Sequence, residues 1–399
     1  MHIDLNSCFA TAEQQAYPSL RGKPIGIAAY TAPSGCVLAP SIEAKRYGVK
    51  TGMTVRDARL LCPDIIIRDP DPRLVRDIHV KFRSVLQNYS PLIVPKSIDE
   101  LVVDFSHLIK KEEILKLAWD IKERIRKDVG EWMSCNIGIA TNRFLAKLAA
   151  GLHKPDGLDQ ITSGNLEMIF ERLGLIDLPG INTRFQARLN GEGIFTPLEF
   201  LRAHLNVLEH KVFKSIVGYH WYLRLRGYEI DDVEFRRKSF GQSYAIPDKT
   251  SDPKKLARLL IKLSEKMGRR LRRHGFRAYG VHLSLVYTDL TYWHMGRKFH
   301  MPLYTTEDLY KRALLILNLQ PERKGVREIA VSCYDLEKTS LEQLSFLDDN
   351  DGKRMAVQKA VDSINDKWGE FVITPALMMG MKDVILDRIA FDQAKELEV

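Results

Sequence analysis

The strongest constraint in the chain lies between about Phe240 and Tyr334, where the hydrophobic period switches between 2 and 3.6 in the order β-α-β-β-α-β. Strands are expected near Phe240–Ile246, Gly280–Tyr287, Tyr292–His300 and Val326–Tyr334, with helices at Pro253–His274 and Thr306–Leu317. That order specifies a split βαβ sandwich. In the first helix, Leu256, Leu260, Leu263 and Met267 share one face, while Lys255, Arg258, Lys262, Lys266, Arg269 and Arg273 ride the rest of its circumference. A merely solvated helix has the same pattern. The preceding Arg236-Arg237-Lys238 and the Arg270–Arg273 cluster favour a grip on a DNA backbone. From Arg236 to Leu336 there are 21 Lys and Arg against 9 Asp and Glu, whereas the whole chain carries +9, so the remainder is slightly acidic. A basic module on a nearly neutral body suits a polyanionic partner. A solubilising face has the same charge, and charge alone leaves both open.

At 399 residues, with 45% hydrophobic and 28% charged, the chain is long enough for two to four domains with real cores. No apolar run reaches the roughly 18 residues of a membrane span, and the start has no signal-peptide pattern. Five scattered cysteines without a Cys-x-x-Cys pair argue against structural zinc and a disulfide framework. A soluble, reduced, cytoplasmic protein is expected.

Towards the N-terminus, His2–Leu5 reads as a short strand and Cys8–Ala16 as a helix. Further strands are expected at Pro24–Ala29, Gly35–Ala39, Leu101–Phe105 and Ser134–Ala140, with helices from Ser41 to Gly48, Glu112 to Asp128 and from Asn142. The stretch from Thr162 to Asp232 reads as wholly helical. Within it, Leu178-Pro179-Gly180-Ile181-Asn182 has the form of a hairpin between helices, whose amides can hold a phosphate. An ordinary helix-packing turn looks the same. Thr196 can cap a helix, with Pro197 first and Glu199 closing a capping box.

Three carboxylates stand out. Asp4 ends an apolar strand, where burying an uncompensated charge is costly. Asp99 and Glu100 follow Ser97-Ile98, and adjacent residues of a regular strand face opposite ways. Both can serve one site only at a hairpin tip or irregular strand end, which Pro95, Lys96 and Ser97 favour. Two hard cations about 4 Å apart need several carboxylate oxygens from separate strands. Taken singly, each Asp also suits an N-cap or a turn.

These segments together resemble the Y-family (translesion, DinB/UmuC-like) DNA polymerases over nearly the whole chain. Asp4-Leu5-Asn6-Ser7-Cys8-Phe9 is similar to their first metal-binding segment, and Ser97-Ile98-Asp99-Glu100 to their most specific signature. Asn136 to Ala140, Phe144 to Lys147, Lys154-Pro155-Asp156-Gly157 and Leu178 to Ile181 follow in the family's order. The resemblance implies an α+β right-hand polymerase. Its palm would be 1–13 and 71–161, its fingers 14–70, its helical thumb with a helix-hairpin-helix 162–232, its linker 233–238, its βαββαβ little finger 239–336 and its tail 337–399.

It also implies roles. Asp4, the Leu5 carbonyl, Asp99 and Glu100 would hold two Mg²⁺ ions, with Asp4, Asp99 and Glu100 catalytic. Cys8, Phe9, Lys45 and Lys154 would bind the dNTP, with Phe9 the steric gate against a ribose 2′-hydroxyl. Gly180, Arg236, Arg237, Lys238, Arg269 and Arg273 would contact primer–template DNA. Gln343, Leu344, Phe346 and Leu347 resemble a sliding-clamp-binding peptide. A monomeric catalytic unit without proofreading, associated with the nucleoid, is expected. Many members place Thr, Tyr and Arg where Ala39, Ile42 and Lys45 stand, and the segment Ala39 to Lys45 here more closely resembles the branch containing the catalytic subunit of the bacterial SOS mutator polymerase. Asn182 replaces the second hairpin glycine. The stripe Val357, Ala360, Val361, Ile364 and Trp368 is expected to pack inward. A template-independent nucleotidyltransferase and a catalytically silent DNA-binding adaptor are the rival classes. The basic module disfavours the first, and the carboxylates disfavour the second.

Overall fold

The computed structural model describes residues 1–106, 108, 113–233, 236–339, 349–382 and 384–385. They form two compact units, within Met1–Glu234 and Phe235–Asp387.

In the first unit the elements run β1 (His2–Leu5), α1 (Cys8–Ala16), β2 (Ile25–Ala28), β3 (Val37–Pro40), α2 (Ile42–Arg46), α3 (Val55–Leu61), β4 (Ile66–Arg68), α4 (Pro72–Gln87), β5 (Ile93–Pro95) and β6 (Glu100–Val103). Then come α5 (Ile114–Arg124), β7 (Cys135–Ile139), α6 (Arg143–Leu152), β8 (Leu158–Gln160), α7 (Leu166–Phe170), α8 (Thr183–Gly191), α9 (Pro197–Arg202) and α10 (Val217–Leu225). A five-stranded sheet has the order β5-β6-β1-β7-β8, with β1 antiparallel to both neighbours. Ile3 and Leu5, at 0% and 1% exposure, turn one face of β1 into the main core with Phe82 and Ile121. Its other face meets α6, and Gly138 permits the approach, since a Cβ there would lie 2.0 Å from the Ala146 carbonyl oxygen. A small sheet, β3-β2-β4, packs with α3 around Val37, Val55 and Ala58.

The expected all-helical stretch follows. Asn182, the residue standing in for a hairpin glycine, is the N-cap of α8 and accepts from the Arg184 and Phe185 amides. Thr196 and Glu199 form the expected capping box. Gly180 has a left-handed φ of 94°, which a side chain would strain.

The second unit contains β9 (Ser239–Thr250), α11 (Pro253–Arg273), β10 (Phe276–Tyr287), β11 (Tyr292–Leu303), α12 (Thr306–Leu317), β12 (Val326–Lys338) and α13 (Asp349–Trp368). This is the expected βαββαβ order, closed as an antiparallel sheet β11-β10-β12-β9 under α11 and α12. Leu256, Leu260, Leu263 and Met267 are buried as their spacing requires.

The basic face of α11 departs from expectation. Lys262, Lys266, Arg269 and Arg272 are buried, because the chain after α12 returns over them. Asp366 pairs with Arg269 at 2.6 Å and Arg273 at 2.5 Å, and Glu370 reaches Arg269 at 3.5 Å. Asp362 pairs with Arg272 at 2.5 Å, while Lys262 and Lys266 donate to the Met381 and Ile385 carbonyls. Arg269 is therefore buried in an internal ion pair, whereas Arg273 stays exposed while sharing Asp366 with it. The same docking reverses the expected packing of α13. Its acidic edge faces α11, so Val357 and Trp368 lie 64% and 68% exposed.

Removing one partner from such a pair leaves a buried guanidinium short of acceptors. Asp366→Ala is expected to destabilise the second unit by about 1–3 kcal/mol, the lower end reflecting the partial exposure of Asp366. Urea unfolding measures this, and an unchanged midpoint would mean that the Asp366–Arg269 pair does not hold the second unit together.

Candidate active site

Asp4 sits on the central strand, where its Cα pairs with those of Glu100 on β6 and Asn136 on β7. Directly opposed residues of antiparallel strands project to the same face, so Asp4 and Glu100 are neighbours by register. Asp99 lies just outside β6, at the tip of the β5–β6 hairpin, where Lys96 and Ser97 amides both donate to the Glu100 carbonyl. That irregular end is what lets consecutive carboxylates serve one site. The Leu5 amide donates to the Asp99 carbonyl at 2.9 Å, and the Ser97 hydroxyl to Asp99 Oδ1 at 2.6 Å.

Two lysines close on these acids. Lys154, from the loop after α6, hydrogen-bonds Asp4 Oδ2, and Lys147 of α6 donates to Glu100 Oε2 at 2.7 Å. Burial dominates the titration of Asp4 and Asp99. It raises the Asp4 carboxyl in spite of Lys154, and with Asp4 and Glu100 nearby it pushes Asp99 up to about 6, against the Ser97 hydrogen bond. Burial acts to raise Glu100 as well, but Lys147, His2 and Lys154 together hold it below its ordinary value. Burial drives His2, 3.6 Å from Glu100, down to about 3.

The acids line a cavity of about 660 Å³. Asn6, Ser7, Cys8 and Phe9 line it too, and Ser7 has a left-handed φ of 50° and gives α1 no side-chain cap. The first-turn amides of α1 therefore meet the cavity with the positive end of the helix. The Cys8 thiol is buried, which together with Asp99 and Asp4 pushes its pKa well up. Phe9 is only 2% exposed and belongs to the core while lining the cavity. Ala39, Ile42, Lys45, Arg46 and Thr51 line the cavity as well. Burial, then Lys154, lowers the Lys45 ammonium.

Among the described residues, no three His, Cys, Asp or Glu side chains are already drawn together around a cation position. Lysine ammonium groups hold two of the three acids instead. The donor set nonetheless fits a hard divalent ion. It is all oxygen, it carries more negative charge than its burial favours, and Asp99 makes no ion pair among the described residues.

Asp4, Leu5, Cys8, Phe9, Lys45, Asp99, Glu100 and Lys154 thus converge on one cavity. Gly180 is placed apart from it in the helical region, and Arg236, Arg237, Lys238, Arg269 and Arg273 belong to the second unit. Gln343, Leu344, Phe346 and Leu347 lie outside the described residues. Lys147 and Arg46 carried no assigned role in the sequence, although each sits within a quoted motif or beside one. No described helix is long and apolar enough to cross a membrane.

Residues 3–151 match the impB/mucB/samB family, and residues 237–346 match the C-terminal domain of that family. DNA polymerase IV of Pelotomaculum thermopropionicum is 32% identical over 96% of either chain. The enzyme of the same name from Moorella thermoacetica is 31% identical, covering 94% of this chain and 95% of its own. Among solved structures, a chimera of the Y-family DNA polymerases Dbh and Dpo4 superposes with a TM-score of 0.75 and 25% identity, over 85% of this chain and 99% of the chimera. DinB from Sulfolobus solfataricus gives a TM-score of 0.54 and 26% identity, over 84% of this chain and 97% of its own.

Proposed function

Because the chain belongs to the impB/mucB/samB family and is a Y-family, DinB-like DNA-directed DNA polymerase of translesion synthesis, we propose that Asp4, Asp99 and Glu100 carry its nucleotidyl transfer. One observation supports this most: three carboxylates line one cavity together with Lys45, Arg46, Lys154 and the start of α1. Acids that can hold divalent ions, mixed with cations and helix-start amides that can hold phosphate, suit a triphosphate. Dbh polymerase, structurally similar with a TM-score of 0.56, has been solved as an insertion ternary complex.

Two Mg²⁺ ions, held by Asp4, Asp99, Glu100 and the Leu5 carbonyl, would lower the pKa of the attacking primer 3′-hydroxyl and stabilise the departing pyrophosphate. Ser97 orients the Asp99 carboxylate by its hydrogen bond. Lys154 exchanges Asp4 for the triphosphate when a nucleotide enters, and Lys45 and Arg46 add positive charge from the same cavity lining. Lys45 is a point charge, so Arg46 is the residue there able to offer a two-pronged fork. Phe9 stands against the sugar.

On the same reading, the five-stranded sheet is the palm, the region of β2–β4 the fingers, the helical stretch with Gly180 the thumb and the second unit a DNA-binding little finger. Exposed Arg236 and Lys238 remain as linker contacts to DNA. Residues 343–347 would bind a sliding clamp, and the catalytic unit would work as a cytoplasmic monomer. Primer extension with each dNTP alone tests the function. Preferential addition of the complementary nucleotide is expected at each template base, with the misincorporation of an error-prone enzyme, and template-indifferent addition would support a transferase of another kind.

A further inference from the structure

The loop that presents Lys154 is gripped from behind by a second lysine. Lys122, on α5, has a side chain only 1% exposed. Its ammonium donates to the carbonyls of Asp156 at 2.5 Å, Gly157 at 3.2 Å and Cys135 at 3.2 Å. An ammonium has three hydrogens, and three carbonyls take them. Asp156 Oδ1, 2.9 Å away, therefore balances the charge without accepting a hydrogen bond. Arg126 pairs with the other Asp156 oxygen.

A second connection reaches the same loop from the metal-binding segment. The Gly157 amide donates to Asn136 Oδ1 at 2.9 Å, Asn136 to Asn6 Oδ1 at 2.5 Å, and Asn6 to Ser134 Oγ at 3.0 Å. Asn6 and Asn136 are both buried. The loop backbone leaves little slack. Asp156 has a left-handed φ of 60°, and a Cβ on Gly157 would lie 2.1 Å from the His153 carbonyl oxygen.

A buried charged lysine is expensive to desolvate, and here it acts on backbone that leads straight to Lys154. We infer that Lys122 is a positioning residue for nucleotide binding, holding residues 153–157 so that Lys154 stands in the cavity beside Asp4, within reach of a triphosphate. The inference rests on the reading of Lys154 as a triphosphate contact. A displacement of about 1 Å at a positioning group is enough to weaken a bound geometry measurably. Lys122 touches no reacting atom, so its effect falls on KM.

The test combines steady-state kinetics with hydrogen exchange on the full chain. Lys122→Met is expected to raise KM for the complementary dNTP about 10-fold with kcat changed less than about 3-fold. The peptide covering 153–160 should exchange faster, while peptides from β1 and β6 keep their protection. In Lys122→Met/Lys154→Ala, KM should rise no further than in Lys154→Ala alone, because both changes remove one contact. If Lys122→Met does not fold, Lys122→Gln is read in the same way. Multiplying KM effects in the double variant, or unchanged exchange at 153–160, would overturn the inference. Should Lys154→Ala leave KM at the parent value, the reading of Lys154 fails, and exchange at 153–160 alone still decides whether Lys122 holds the loop.

Discussion

Asp99→Ala is expected to slow single-nucleotide incorporation by about 10³-fold or more, over 4 kcal/mol, while primer–template affinity stays within about 3-fold. Asp99 comes from a hairpin tip, carries no ion pair among the described residues, and is the most electrostatically stressed acid in the cavity. It is the acid with the most to gain from a divalent cation. The DNA grip is proposed to come from other parts of the chain, so affinity should survive. A stability readout separates lost chemistry from lost fold. In metal-free protein the folded carboxyl sits near 6 against an ordinary 3.8, so the charged form disfavours folding. That penalty is absent below about pH 4, grows between about pH 4 and 6, and is fully present above 6. Asp99→Ala should therefore melt higher than the parent at pH 7.5 and equal to it at pH 4. A variant that still turns over at the parent rate removes Asp99 from the chemistry, and one that melts lower at pH 7.5 has lost structure instead.

Phe9→Leu is expected to raise ribonucleotide incorporation relative to deoxyribonucleotide by roughly 10²-fold, about 2.7 kcal/mol of lost discrimination. The ring lies in the first turn of α1, five residues after Asp4, and it lines the same cavity as the acids. With the triphosphate end held by the acids and lysines, a sugar has little freedom to avoid it. A 2′-hydroxyl, the group by which proteins separate RNA from DNA, would press against the ring and lose water without gaining a partner. Phe9 is also 2% exposed within the core, so truncation to alanine would cost about 3–5 kcal/mol of stability. Leucine shortens the ring while keeping much of the packing. Relative incorporation of rNTP and dNTP opposite one template base measures the effect. Parent-like rejection by a folded Phe9→Leu would make Phe9 a core residue and nothing more.

What was legible in the sequence was local or periodic. The strands and helices from Ser239 to Lys338 follow their hydrophobic periods, and β1 and α1 end where their residues say they should. Three-residue strands such as β4 and β8 are too short to show a period. α4 had readable signals, since Asp71 caps it and Pro72 takes its first position, yet no helix was assigned there. The fate of Arg269 and Arg273 was not readable, because their partners lie 97 and 93 residues away and a basic helix looks alike covered or bare. The same covering turned Val357 and Trp368 outward. Within the site, the carboxylates were visible through their spacing and family likeness. Lys147, Arg46 and Lys122 were not, because their roles depend on which strand or loop the fold lays beside them.

The claim that Asp4, Asp99 and Glu100 hold a pair of divalent ions can be tested by counting them. Mn²⁺ serves as the probe, bound to the full chain with primer–template and a non-hydrolysable dNTP and read by electron paramagnetic resonance. Two tightly bound ions per complex are predicted for the parent, with fewer than two for Asp99→Ala. An equal count in parent and variant would contradict the assignment.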